Sequence, residues 1–197
     1  AHDPQWCEHA ASAMEQRAFG LALLAERGEI APDGPAAERF IADALKDKDA
    51  VVFNVGAPDE SLREEQCRVN VKHTAPSRSM LADALSQYMA WKQWRNWVLV
   101  IGPAPEDKLY ADAIRRAAKR FGHKIVEERV FDYDPGSRRA DGGFEQIQQQ
   151  IPSFMQGLPD HDVVVVADEG ELFGDYFPYR TWISRPVVGT AGLYATP

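Results

Sequence analysis

The sharpest chemical signal is an apolar run that ends in acid. His161-Asp162-Val163-Val164-Val165-Val166-Ala167-Asp168 leads into Glu169-Gly170-Glu171. Acidic groups at the carboxyl end of a buried parallel strand are good polar site candidates. The commoner arrangement is an Asp168 that caps the next turn, with the other acids solvated. A second candidate is Gly56-Ala57-Pro58-Asp59, which follows Ala50-Val51-Val52-Phe53-Asn54-Val55. Glycine there would let backbone N–H groups approach a ligand, or would simply make a tight exit turn, the more usual case. His2, Asp3, Cys7, Glu8 and His9 have metal-ligating chemistry but no family spacing, so a polar chain end is the plainer reading. Asp132, Asp134 and Asp141 are loosely spaced like a calcium loop. No glycine or final glutamate stands where an EF-hand needs it, and a solvated loop is expected ahead of a hard-cation or lanthanide site. The sequence has no GxGxxG, Walker A, GxSxG or HExxH motif, and no carboxylate pair with glycosidase spacing. Neither a catalytic residue nor a cofactor is assigned.

Composition narrows the class. The 197 residues are 45% hydrophobic and 26% charged, as in an ordinary globular domain. A net charge of −8 argues against nucleic acid or an anionic membrane as the main partner. No apolar run nears the roughly 20 residues of a membrane span. Ala1 opens the sequence without a basic-then-apolar leader, which fits a mature secreted chain or a trimmed one. Cys7 and Cys67 permit one disulfide or two free thiols, and spacing does not choose between them.

The positioning elements are strands and helices in alternation. Trp97-Val98-Leu99-Val100-Ile101-Gly102 predicts a strand buried on both faces. Pro105 starts a helix to Phe121, Glu106 and Asp107 suit its positive end, and Gly122 stops it. Lys124–Val130 is a second strand, completing a βαβ unit. Upstream, helices are expected over about 5–27 and 35–46, the latter burying Phe40, Ile41, Ala44 and Leu45. Strands are expected at Ala50–Val55 and Cys67–Lys72. A long helix should run to about Trp94 with Met80, Leu81, Ala84, Leu85, Tyr88 and Met89 inward. Downstream come a glutamine-rich helix over Phe144–Met155, kinked or restarted at Pro152, the valine strand, and a last strand at Pro186–Thr190. The fold class is α/β, a doubly wound and mostly parallel sheet over residues 50–197, preceded by a helical segment at 1–49.

Phe53-Asn54-Val55-Gly56-Ala57-Pro58-Asp59, His73-Thr74-Ala75-Pro76-Ser77-Arg78, and Phe173-Gly174-Asp175-Tyr176 with Pro178-Tyr179-Arg180-Thr181-Trp182 carry a resemblance. The chain resembles type I periplasmic binding proteins of branched-chain amino-acid ABC transporters. It resembles more closely the components encoded with PQQ-dependent alcohol dehydrogenase systems. That resemblance spans about residues 50–196. It implies a two-lobed protein closing on a ligand. Here the opening elements of the first lobe give way to the helical segment, so a truncated or rearranged first lobe is expected.

The resemblance implies a periplasmic, non-enzymatic solute-binding protein with its leader removed. It would take a small molecule or metal-associated ligand at the strand ends and serve an ABC permease or a quinoprotein dehydrogenase system. It implies ligand contacts from Gly56, Ala57, Asp59, His73, Thr74 and Ser77, and from Tyr110, Asp168 and Glu169. An interaction module derived from one lobe, acting as a homodimer or on a dehydrogenase through Trp91, Trp94 and Trp182, is the alternative.

Overall fold

Four valines in a row and the Trp97–Ile101 run become adjacent, fully buried strands, because residues apolar on both faces are stable only between two helical layers. The computed structural model describes residues 35–47, 50–132, 143–180, 185–189 and 192–195. The expected helix over 5–27, the cluster at residues 2–9, Cys7, Asp134, Asp141 and Trp182 fall outside them. Contacts divide the chain into two compact units, Ala1–Ser77 and Arg78–Pro197.

In the first unit, helix α1 (Pro35–Ala44) precedes strand β1 (Val52–Asn54), a 3-10 turn (Glu60–Leu62) and strand β2 (Val71–His73). The two strands pair in parallel, with Val52 opposite Val71 and Asn54 opposite His73. Strand β2 forms later than the expected Cys67–Lys72 because turns occupy residues 63–66 and 69–70. Helix α1 buries Ala37 and Ala42, and Leu45 just beyond it is buried as expected, with Ile41 and Ala44 half-buried; Phe40 is exposed, which corrects that one expectation. Cys67 is an exposed free thiol.

The second unit contains α2 (Arg78–Trp91), β3 (Asn96–Ile101), α3 (Pro105–Phe121), β4 (Lys124–Val130), α4 (Gly143–Phe154), β5 (Val163–Ala167), a 3-10 segment (Gly174–Tyr179), β6 (Val187–Gly189) and β7 (Gly192–Ala195). Its sheet has the order β4-β3-β5-β6-β7, parallel except for the antiparallel β6–β7 pair. Trp97, Leu99, Ile101, Val163 and Val165 face a core built with α2 and α3, including Ala82, Met89, Tyr110 and Ile114. The alternate residues Val98, Val100, Val164 and Val166 face Phe131, Ile147, Ile151, Phe173 and Phe177. Each fully buried Val or Leu contributes about 1.5–3 kcal/mol, so this strand pair anchors the unit.

Gly122, at φ 73°, ends α3 in the left-handed region, as a helix-stopping glycine should. Helix α4 runs through Pro152. Helix α2 buries Ser79, Ala82, Ser86 and Met89 and packs Leu85 and Tyr88 against the core, so Leu85, Tyr88 and Met89 of the expected stripe face inward, whereas Met80, Leu81 and Ala84 are exposed. The reason is its partner. Ala82 of α2 shares one core cluster with Ala111, Ala117 and Ala118 of α3, and small residues there permit a close approach of the two helices. The edge strand β4 carries ion pairs from Glu127 to Arg129 and from Glu128 to Arg115, and its pairing with β3 slips at Trp97/Val98.

Candidate functional site

The order β4-β3-β5 reverses direction between β3 and β5, and ligands of open α/β sheets favour the carboxyl ends at such a reversal. Gly102, Asp168 and Glu169 stand there. Asp168 is buried, and its carboxylate accepts the N–H groups of Leu172 (3.0 Å), Phe173 (2.7 Å) and Gly174 (2.7 Å). Its chemistry is loop closure, the capping role considered in the sequence. Glu169 makes a bidentate pair with the buried Arg78 guanidinium, at 2.7 and 2.8 Å. Tyr110 is buried among the α3 core residues.

Asp107 stands in the first turn of α3, as the sequence suggests, but has a second role that sequence reasoning did not assign. It is buried, and its two oxygens accept the N–H of Glu169 (2.7 Å) and of Ala104 (3.2 Å). Burial pushes its carboxyl above the usual range. The two hydrogen bonds oppose that shift, and the charges of Asp168 and Glu169 add to it. Gly102 makes the arrangement sterically feasible: a Cβ there would fall 2.1 Å from Asp107 Oδ2. Thus Asp107, Arg78, Asp168 and Glu169 are engaged with one another's loops and fix the geometry of the β3 and β5 ends.

In the first unit, Asn54 organises the strand ends. Its Oδ1 accepts the N–H of Gly56 (3.1 Å) and Ala57 (2.9 Å), and its Nδ2 donates to Ala57 O (2.8 Å). With the amide orientation fixed by those bonds, Nδ2 also donates to His73 Nδ1 at 3.0 Å, which puts the His73 proton on Nε2. The Asn54 carbonyl accepts the Thr74 N–H, the Thr74 hydroxyl and the Ala75 N–H. The structure therefore brings Gly56, Ala57 and His73 together around the Asn54 side chain and Thr74 onto its carbonyl, and spends on Asn54 the N–H groups expected to face a ligand. A lone Asn after three apolar residues gives no sign in the sequence of this role. Asp59 flanks the Glu60–Leu62 turn, and Ser77 is buried just before α2.

An open cavity of about 230 Å³ lies against the carboxyl end of β1, walled by Ile41, Phe53 and Val55 and floored by Asn54 and the Gly56–Ala57 turn. Glu38 of α1 lines it too, and Glu38 Oε1 is buried with no hydrogen-bond partner. Burial raises the Glu38 carboxyl above its ordinary range, and the Arg63 charge partly offsets this. His73 is held below the ordinary histidine range, first by burial and then by Arg63. The Leu62 carbonyl, short of hydrogen-bond geometry, pulls the other way. Among the described residues no group of three His, Cys, Asp or Glu side chains is arranged to hold a metal ion, and no helix is long and apolar enough to cross a membrane.

No protein-family model and no curated protein matches the chain. Solved structures do. An ABC transporter substrate-binding protein from Desulfitobacterium hafniense superposes with a TM-score of 0.58 at 15% identity, over 79% of this chain and 44% of that one. A structure of an ABC transporter substrate-binding protein from the same organism, in complex with Leu, gives 0.59 at 15% identity over 89% and 51%. The chain spans about half the length of these two structures. Its fold is a mixed α/β, mostly parallel arrangement of the kind that forms a periplasmic binding-protein lobe.

Proposed function

We propose that the chain is a solute-binding component of an ABC-type uptake system, working outside the cytoplasm and carrying out no chemistry on its ligand. The carrying observation is the open cavity at the carboxyl end of β1, beside the Gly56–Ala57 turn, in a chain whose structural neighbours are substrate-binding proteins. Backbone turns at strand ends are where such sheets receive small molecules. The finer reading, from resemblance, links the protein to PQQ-dependent alcohol oxidation, with an ABC permease or a quinoprotein dehydrogenase as its partner. The test is a thermal-shift panel of amines, alcohols, carboxylic acids, amino acids, PQQ and lanthanide ions. A ligand at about 100 times its Kd stabilises by about 2.7 kcal/mol, a clear rise in Tm. Silence across the panel rejects the reading.

A second reading, an interaction module acting through a second copy or a dehydrogenase, rests on Trp91. It is 74% exposed, with Tyr88 at 5.8 Å and the Lys92 ammonium 5.1 Å from its ring. Trp94, by contrast, packs against the core. Light scattering that shows a concentration-dependent dimer abolished by Trp91→Ser supports this reading. A strict monomer that also ignores the dehydrogenase removes it.

A further inference from the structure

Arginines of this acidic chain pair with carboxylates, as at Arg78, Arg115 and Arg129. Lys92 does otherwise. Its ammonium lies 5.1 Å from the ring centre of Trp91, 5.8 Å from that of Tyr88 and 5.9 Å from that of Trp94, and it meets no carboxylate among the described residues. A cation within about 6 Å of a ring centre is drawn to the electron-rich face, and one such contact per roughly 70–80 residues is usual. Here three rings converge on one ammonium.

The rings hold their places without Lys92. Tyr88 and Trp91 stand three residues apart on α2, with ring centres 5.8 Å apart. Beyond the helix, Gln93 sits at φ 63°, the left-handed region that favours glycine, and the Trp94 N–H donates to the Met89 carbonyl at 3.0 Å. That turn folds Trp94 back edge-on to Tyr88 at 6.1 Å, and the Trp97 indole N–H donates to the Trp94 carbonyl at 2.8 Å. Tyr88 and Trp94 pack against the core, whereas Trp91 is 74% exposed and Lys92 is exposed too. The carbonyl end of α2, which carries no basic residue in its last turn, adds a partial negative charge that favours a cation. Lys92 is thus a tethered stand-in on a surface built for a cation.

The stand-in also selects among free cations. A primary ammonium is compact and strongly hydrated, so it offers the rings nothing that Lys92 does not already supply. A trimethylammonium group keeps the charge and adds methyl surface for the rings, which is the usual ligand of aromatic cages.

We propose that Tyr88, Trp91 and Trp94 bind the trimethylammonium head of a small solute, which displaces the Lys92 ammonium from the rings. This site lies before the amino end of β3, not at the strand carboxyl ends, and it goes beyond the solute-binding reading without depending on it.

The test is isothermal titration of the full chain at constant ionic strength with choline and with 3,3-dimethylbutan-1-ol, its uncharged isostere. Choline is expected to bind saturably at one site, and the isostere more weakly by about tenfold or more. Lys92→Gln removes the competing ammonium and should tighten choline by about tenfold. Trp91→Ala, at an exposed position and with unchanged circular dichroism, should weaken choline by about tenfold or more. Equal binding of choline and the isostere overturns the inference, because it shows an apolar patch with no use for charge. Choline binding indifferent to Trp91→Ala or to Lys92→Gln overturns it, and so does silence of choline with the Lys92→Gln chain. Trp91-dependent sedimentation with phosphatidylcholine vesicles, with free choline silent, overturns the small-solute assignment in favour of a lipid head group. All of these results leave the strand-end reading to its own panel.

Discussion

Replacing Gly102 by alanine tests how the β3 and β5 ends are built. The new Cβ would lie 2.1 Å from Asp107 Oδ2, 2.8 Å from its Cγ and 2.9 Å from Phe173 Cε1, where ordinary contact begins near 3.4 Å. Asp107 is buried and tied by both oxygens, to Glu169 N–H at 2.7 Å and Ala104 N–H at 3.2 Å, so it must give up at least one bond to make room. Overpacking costs about 1–3 kcal/mol. Losing a hydrogen bond to a charged group costs about 1.5–3 kcal/mol more. We expect Gly102→Ala to destabilise by about 3–5 kcal/mol, a large part of the ~5–15 kcal/mol typical of a domain. Urea unfolding followed by far-UV circular dichroism reads this as a fall in midpoint at unchanged slope. The decisive measurement is the double-mutant cycle. With Asp107→Ala already present the carboxylate is gone, only the Phe173 contact remains, and Gly102→Ala should cost no more than about 1.5 kcal/mol. A cost below about 1 kcal/mol in the wild type, or additivity within about 0.5 kcal/mol, would refute the reasoning.

His123 should make the second unit acid-sensitive. It is buried, its ring stacks on Trp97 at 4.3 Å, its Nε2 meets the Ser86 carbonyl, and burial above all holds it below the ordinary histidine range. The folded state thus binds fewer protons than the unfolded one. Its contribution is complete above about pH 6.5 and is lost as pH falls below that value. The urea midpoint should drop between about pH 7.5 and pH 5.5, and His123→Phe should flatten that slope. In the first unit, Asn54→Ala should cost about 2–4 kcal/mol by stranding the Ala57 N–H and releasing the Gly56–Ala57 turn, seen as faster amide exchange at 56–57. Gly56→Ala, with nothing within 4 Å of its Cβ, should change stability by less than about 0.5 kcal/mol.

The central strands were legible because burial on both faces leaves continuous apolar runs, and Val163–Ala167 and Trp97–Ile101 are such runs. Helix α3 was legible from its ends, Pro105 and Gly122. The inward face of α2 was legible only in part, through Leu85, Tyr88 and Met89. Hydrophobicity points to Met80 and Leu81, but close helix packing selects Ala82 and Ser86, and that choice depends on the alanines of a different helix. Strand β7, four residues at an edge, gives too short a pattern to recognise. At the strand ends, Gly56, Asp168 and Glu169 were visible by position. The groups that bind them in place, Asn54, Asp107 and Arg78, were not, because hydrogen-bond partners up to 91 residues apart leave no local trace.

The charged edge strand β4 bears on how these molecules behave in a crowded solution. An unpaired edge offers its backbone as a template for another chain. Here Glu127, Glu128 and Arg129 lie along the strand, Arg115 reaches onto it, and the slip at Trp97/Val98 bends its ladder. A second strand approaching that edge would have to strip water from four charges and match an irregular register. Partly exposed ion pairs of this kind add little to the stability of one molecule, but their charges make the β4 edge a poor template for a second strand.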